Sequence, residues 1–126
     1  MTQRRSRLVL PALALLAGCS HSGLPDTPLL AGIERQDYAA GSGMIEGRLR
    51  ARFPAGSSDR QLAAYLQQQG LRLEPGEGAS PGAITGRAVI REEGVVCGSQ
   101  VWVDWTADAA HRIGRIDVRY TDTGCP

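Results

Sequence analysis

The side chains best suited to covalent chemistry in this chain are three thiols, those of Cys19, Cys97 and Cys125. A cysteine thiolate can accept an acyl group, form a disulfide or bind a metal ion. Cys19 stands near the amino terminus, whereas Cys97 and Cys125 stand in the last third of the chain. The residues around each cysteine indicate which chemistry it serves.

Cys19 ends a short patterned segment. A basic region with Arg4, Arg5 and Arg7 precedes an apolar run over residues 8–17, and the string Leu16-Ala17-Gly18-Cys19 closes it. A basic region, a short apolar region and small residues in this order are typical of a cleaved targeting signal. The apolar run is about half the roughly 20 residues that a membrane-spanning helix needs. An uncleaved anchor is therefore disfavoured, and an ordinary secretory signal leaves Cys19 without a role.

The segment resembles the bacterial lipoprotein signal, whose pattern ends in Leu-(Ala/Ser)-(Gly/Ala)-Cys. The resemblance implies diacylglycerol transfer to the Cys19 thiol, cleavage after Gly18 and acylation of the new amino terminus. The next residue is Ser20 and not Asp, which by the same resemblance favours the outer membrane. We expect a signal peptide over residues 1–18, attachment to the membrane through the lipid on Cys19, and a domain facing the periplasm.

The other two cysteines form an even pair in an oxidising compartment, which predicts a structural disulfide between Cys97 and Cys125. A metal site would need further ligands, and the chain has only His21 and His111. A redox pair is more often spaced Cys-x-x-Cys. We therefore expect no metal and no cofactor.

Composition excludes a nucleic-acid partner. The chain has 14 arginines, no lysine and 13 acidic residues. Removal of residues 1–18 takes three of those arginines, so that 11 remain against 13 carboxylates and the net charge becomes −2. No uniform basic field remains to attract nucleic acid.

The organisation predicted from patterning is a lipidated flexible tether over residues 19–43 and one α+β domain over residues 44–126. Apolar and charged residues alternate over residues 44–53, which predicts a strand. Ser58 and Gln61 fit a capping box at the start of a helix over residues 58–69, and Gly70 suits its end. Residues 71–74 form a short strand, and residues 75–83 form a loop. Further strands are predicted at about residues 84–92, 95–106 and 113–121. The fold class is α+β, with one helix packed on an antiparallel sheet of four or five strands.

The last two strands can be aligned by their apolar faces. This alignment pairs Trp105 with Ile116, Val103 with Val118 and Val101 with Tyr120. Extending it brings Cys97 to within one residue of Cys125, and a bulge at Gly98 or Gly124 would close the difference. The disulfide would then join the open end of the C-terminal hairpin.

No catalytic constellation is evident, and we expect a protein that is not an enzyme. His111 stands in a predicted turn with no partner indicated by the sequence. The pair Glu92-Glu93 points to opposite faces of a strand or forms a polar turn. The aspartates near the hairpin match no calcium-loop pattern.

Two features could form an interaction surface. By alternation Trp102 faces away from Trp105, near Arg87 or Arg119, where it could anchor a partner; equally, it could pack under the loop over residues 75–83. Arg48, Arg50 and Arg52 would share one face of the first strand. That row could bind anionic lipid or lipopolysaccharide, although a solvated sheet face is the simpler interpretation.

The domain is similar to small envelope lipoproteins that have a Pro-x-Gly-Ser helix start, a Trp-containing strand after a cysteine and a Cys-Pro ending. It is less similar to the small accessory lipoprotein of the outer-membrane β-barrel assembly machine, because one helix is evident where that protein has two and a strand precedes it. The leading hypothesis is a non-enzymatic outer-membrane lipoprotein that binds or scaffolds another envelope component. The alternative is a periplasmic inhibitor or ligand-binding lipoprotein, for example one that acts on a cell-wall hydrolase.

Overall fold

The computed structural model describes residues 23–78, 80–93 and 97–124. The elements are a short 3-10 helix at Ile33–Arg35, helices α1 (Tyr38–Arg52) and α2 (Asp59–Gln68), and strands β1 (Arg72–Pro75), β2 (Ile84–Arg91), β3 (Ser99–Ala107) and β4 (Ile113–Asp122). The strands form one antiparallel sheet in the order β1-β2-β3-β4. The α+β class with a four-stranded antiparallel sheet is confirmed, but two α-helices accompany the sheet where one was predicted.

Helix α2 is confirmed together with its predicted ends. The Ser58 hydroxyl accepts a hydrogen bond from the Gln61 backbone N–H at 3.4 Å, so it serves as the N-cap. After the last turn, Gly70 has a φ of +94°, which glycine adopts without strain. The helix buries Leu62 and Leu66 completely against the sheet.

The register of β3 against β4 is also confirmed. The predicted pairs Val101–Tyr120, Val103–Val118 and Trp105–Ile116 are all present. The inward-facing residues of this register join the core cluster. A register shift at Thr106 and Ala107 ends the ladder next to the hairpin loop.

The predicted strand over residues 44–53 is wrong, because these residues form most of helix α1. The large apolar residues here are Ile45, Leu49 and Phe53, each four residues apart, so one face of a helix carries all three. Ile45 and Leu49 are fully buried, and Phe53 is 6% exposed. The intervening Gly47 and Ala51 are small, and they mimic a strand pattern without needing burial.

The predicted domain boundary at residue 44 is wrong as well, because the core begins near Leu24. Leu29 and Ile33 are 1% and 0% exposed, and both belong to the main hydrophobic cluster. Both backbone polar groups of Leu29 form hydrogen bonds. Its N–H donates to Gln69 Oε1, and its carbonyl accepts from Arg48 Nη1, both at 2.9 Å. The later part of the predicted tether is therefore part of the folded domain.

Helix α1 packs closely against β4, which is one of the two edge strands of the sheet. A Cβ at Gly41 would lie 2.5 Å from Cδ1 of Tyr120, so only glycine fits this approach. Next to it, the Ser42 hydroxyl accepts a hydrogen bond from the Tyr120 N–H at 2.8 Å. That backbone N–H would otherwise be open to another strand, so α1 protects the edge of the sheet.

Replacing Gly41 with alanine is expected to lower the free energy of unfolding by about 1–3 kcal/mol, because the new methyl group must displace the Tyr120 ring. The matched control is Gly43→Ala, in the same helix, where a Cβ would meet nothing within 4 Å. That change is expected to stabilise the protein by up to about 1 kcal/mol. Urea unfolding of both variants gives the comparison, and equal effects would contradict the close contact.

Of the two cysteines in the predicted disulfide, Cys97 is described and Cys125 lies outside the described residues. Nearby, the Thr123 N–H donates to the Gly98 carbonyl at 2.8 Å, so the chain after β4 runs beside the start of β3. Cys97 has a φ of 65°. The bridge between Cys97 and Cys125 stays a prediction.

Candidate functional site

The two helices cover one face of the sheet, and the opposite face carries the candidate site, which we call the outer face. Along β3 the inward residues Val101, Val103 and Trp105 are buried in the core. The alternating residues Trp102 and Asp104 are half-buried on the outer face. This confirms the predicted orientation of Trp102 away from Trp105.

Three arginines surround the Trp102 ring. The guanidinium carbons of Arg91, Arg87 and Arg119 lie 4.8, 4.9 and 5.8 Å from the ring centroid. Guanidinium groups within about 6 Å of an indole are attracted by its electron-rich face. The predicted proximity of Trp102 to Arg87 and Arg119 is confirmed, and Arg91 joins them from β2.

The floor beside the indole is apolar. Val89 stands directly opposite Trp102 on β2 and is only 2% exposed. On the far side of Val89, the partner on β1 is Arg72. A half-buried tryptophan over a buried valine gives this basic area a hydrophobic centre.

Arg87 is committed to an internal ion-pair network. Its Nε donates to Asp104 Oδ1 at 2.6 Å, and its Nη2 donates to Asp104 Oδ2 at 3.3 Å. Glu77, from the loop between β1 and β2, lies 3.4 Å from Nη1 of the same side chain. The hydrogen bond to Asp104, helped by the negative charges nearby, raises the pKa of Arg87 above its usual value. This arginine orients the indole and is not available to a partner.

Arg91 and Arg119 have no acidic partner among the described residues. The Nε of Arg91 donates to the neutral amide oxygen of Gln100 at 2.9 Å. Arg119 stands opposite Trp102 in the register, and its side chain contacts that ring without an ion pair to any other described residue. Both arginines are exposed, so two positive charges without an acidic partner in the described residues lie beside the indole.

The next row of side chains across the outer face, adjacent to the row of Trp102, consists of charged residues. Glu74, Arg87, Asp104 and Asp117 are neighbours across the four strands. Within it, Asp117 pairs with Arg115 at 2.7 Å. Charge therefore changes along the strands, from positive around Trp102 to balanced or negative beyond Asp104.

The three arginines predicted to share one face of a strand, Arg48, Arg50 and Arg52, lie on α1 and do not share a face. Successive helical residues turn by about 100°, so positions two apart point in different directions. Arg48 binds the Leu29 carbonyl at 2.9 Å, Arg50 pairs with Glu46 at 3.1 Å, and Arg52 stacks 4.3 Å from the Tyr65 ring centroid. Each arginine has a separate local contact, and the helix does not bring the three side chains together as a strand would have done.

A second polar cluster joins the hairpin loop to α2, and sequence reasoning missed it. His111 Nδ1 lies 2.9 Å from Asp59 Oδ1, and His111 Nε2 lies 2.9 Å from Arg60 Nη2. Arginine can only donate, so Nε2 accepts and we assign the proton to Nδ1, which donates to Asp59. Both ring nitrogens of His111 contact side chains of α2, and Nε2 contacts neither a hydroxyl nor a thiol that it could activate. This histidine therefore holds the hairpin loop against α2.

Replacing His111 with alanine is expected to lower the free energy of unfolding by about 1–2 kcal/mol, because the nearly buried Asp59 carboxylate loses a hydrogen-bond donor. The control is Arg112→Ala, which removes the neighbouring exposed side chain. Thermal unfolding monitored by circular dichroism would compare the two. A smaller loss for His111→Ala than for Arg112→Ala would contradict this role.

The loop itself is held by Asp108. Its Oδ1 accepts from the N–H groups of Ala110 and Arg112 at 2.9 and 3.0 Å, and its Oδ2 accepts from Arg112 Nε at 3.0 Å. The backbone hydrogen bond from Arg112 is the main reason why the pKa of Asp108 is lowered. The loop between β3 and β4 therefore has a fixed shape.

In residues 23–78, 80–93 and 97–124, no three or more histidine, cysteine or acidic residues are grouped so as to hold a metal ion. Over the same ranges, no helix has the length and apolar character needed to cross a membrane. The proposed lipid-bearing Cys19 lies outside them.

Comparisons with protein-family models, with curated proteins and with solved structures found no match for this chain.

Proposed function

We propose that this chain is a non-enzymatic outer-membrane lipoprotein that binds or scaffolds another envelope protein through the outer face of its sheet. The observation that carries the proposal is Trp102, half-buried on the face that the helices leave uncovered and surrounded by three arginines. Tryptophan and arginine are the residue types most enriched among the energetic centres of protein interfaces. No catalytic geometry is needed for this role.

The resemblance described above gives secondary support. This chain has two helices followed by an antiparallel sheet, and the accessory lipoprotein to which the sequence is less closely similar also combines two helices with an antiparallel sheet. No functional residue is carried over from that protein. The predicted disulfide between Cys97 and Cys125 belongs to the same proposal, since it would fix the chain end beside the start of β3.

The early start of the core changes how the proposed anchor would work. Only five residue steps separate Cys19 from the buried Leu24, and a fully extended chain covers at most about 18 Å over that length. The domain would therefore stay close to the bilayer, in contrast to the reach expected of a tether that runs to residue 43. For the scaffold role, this position favours a partner that is a membrane protein or a protein held near the membrane.

The proposal is tested by crosslinking and mild-detergent purification of the full-length lipidated protein from its native envelope, with mass spectrometry of bait and prey. We expect a bait mass that includes acyl chains on Cys19, and a stoichiometric membrane partner that is lost on Trp102→Ala. Cys19→Ser, which removes only the acceptor thiol, is the control for membrane attachment. Lipidated bait without a partner would contradict the scaffold role.

One observation favours the alternative function, an inhibitor of a secreted hydrolase. The loop over residues 108–112 is fixed by Asp108 and fastened to α2 through His111. A rigid exposed loop loses little conformational entropy when it enters an active site. In the same purification, a secreted hydrolase that is retained by Trp102→Ala but lost on replacement of residues 108–112 would select this alternative.

A further inference from the structure

The outer face offers more than a general docking area, because its charges are unevenly distributed around Trp102. Arg87 is neutralised by Asp104 and Glu77, and its side chain is only 15% exposed. Arg91 and Arg119 have no ion-pair partner among the described residues, and both are exposed. On the described outer face, the unpaired positive charge thus lies on two guanidinium groups that contact one indole ring.

We infer that Arg91 and Arg119, with Trp102 beside them, form a recognition site for a carboxylate side chain of a protein partner. This inference rests on the proposed function and names the chemistry of the group that the outer face binds. Guanidinium groups have N–H donors that suit carboxylate oxygens. Arg91 donates its Nε–H to Gln100, and its two terminal nitrogens make no hydrogen bond within the described residues.

The neighbouring row decides between a protein and a phosphate-rich surface. Glu74, Asp104 and Asp117 lie on the same face, one row away from Trp102, and with Arg87 they give that row three negative charges against one positive charge. A lipid leaflet or another evenly charged polyanion would bring negative charge against this net negative row, and like charges brought together oppose binding. A protein segment can place a carboxylate at Arg91 or at Arg119, which stand on the strands on either side of Trp102, and neutral or basic groups at the acidic row. Charge complementarity therefore favours an acidic side chain within a protein.

The apolar floor fits the same occupant. Val89 is 2% exposed beside the half-buried indole, so the base of the site excludes water. A charge-assisted hydrogen bond is stronger where water is excluded. A partner residue that combines a carboxylate with an adjoining apolar side chain would use both parts.

The test uses the full lipidated chain in zwitterionic detergent micelles and a short peptide alternating glutamate with serine. The matched peptide has glutamine in place of glutamate. Side-chain NMR follows the Nε–H signals of Arg91 and Arg119 and the indole N–H of Trp102. We expect the three signals to shift and saturate with the glutamate peptide, and to stay unmoved with the glutamine peptide.

Variants separate this inference from the proposed function. The double variant Arg91→Gln/Arg119→Gln should bind the glutamate peptide about tenfold more weakly. Arg115→Gln, on the same face but paired with Asp117, should bind it within about twofold of the wild type. Equal losses for both variants, or equal shifts with both peptides, would overturn the inference. Shifts produced only by phosphatidylglycerol added to the micelles would overturn it in favour of a lipid.

The native partner gives the last distinction. If the membrane partner is lost on Trp102→Ala but retained by the double arginine variant, the proposed function stands and the carboxylate site fails. If no partner depends on Trp102, the proposed function fails whatever the peptide does.

Discussion

Replacing Ile33 with alanine is expected to lower the free energy of unfolding by about 2–5 kcal/mol, although this residue lies in a segment with the composition of a linker. Ile33 is fully buried and belongs to the same hydrophobic cluster as Leu49, Leu66 and Val103. Removing its branched side chain leaves a cavity that the surrounding helices cannot fill completely. Urea unfolding followed by circular dichroism measures the loss.

The control for this prediction is Leu73→Ala, which also removes a branched apolar side chain. Leu73 lies on the edge strand β1 and is 38% exposed, so its loss should cost clearly less than that of Ile33. If Ile33→Ala proved neutral, residues 24–35 would be a tether after all. The packing of Leu29 and Ile33 described above would then be wrong.

Replacing Trp102 with alanine is expected to weaken binding of the native envelope partner by about thirtyfold or more, the effect of losing about 2 kcal/mol at an interface centre. The indole supplies the apolar surface and positions Arg91 and Arg119 at once. Surface plasmon resonance with the purified partner and the lipidated chain in nanodiscs gives the ratio of dissociation constants.

Trp102→Phe is the conservative control, since a phenyl ring keeps an aromatic face for the arginines. It should retain most of the affinity, and the alanine variant should keep cooperative unfolding. Full affinity of Trp102→Ala would show that the partner binds elsewhere on the molecule. A parallel measurement with His111→Ala reports whether the loop over residues 108–112 contributes.

The C-terminal half of the fold could be predicted from the sequence because its signals are local and strong. Ser58, Gln61 and Gly70 mark both ends of α2, and strict alternation along β3 and β4 fixes which side chains face inward. Once both faces are known, the register follows, because a slip by one residue would expose the core. The outer-face position of Trp102 is a consequence of that same alternation.

The N-terminal half was misread because its signals fit two structures. Ile45, Leu49 and Phe53 are four residues apart, which suits a helix, but every second residue between them is small or apolar and so suits a strand. Three glycines within α1 also lower its helix propensity. Asp37 was an available signal: its carboxylate accepts from the Ala40 N–H at 2.7 Å and caps α1.

The long-range contacts that hold the hairpin loop and the N-terminal segment had no local signal in the sequence. Asp59 and His111 are 52 residues apart, and Leu29 and Gln69 are 40 apart. Their meeting depends on how the helices pack on the sheet, which alternation and capping do not specify. The sequence predicts Arg87 and Arg119 near Trp102, because neighbouring strands present them on the same face. The ion pair between Arg87 and Asp104 requires the β2–β3 register, which the sequence did not indicate.

The central claim is that a membrane partner binds the outer face, and site-specific photo-crosslinking in the native envelope tests it most directly. A photoreactive amino acid at position 121, on β4 beside Gln100, should yield one discrete adduct with the partner. The same group at position 67, exposed on α2 over the opposite face of the sheet, should yield none. An adduct from position 67 with none from position 121 would contradict the account and place the interface on the helical side.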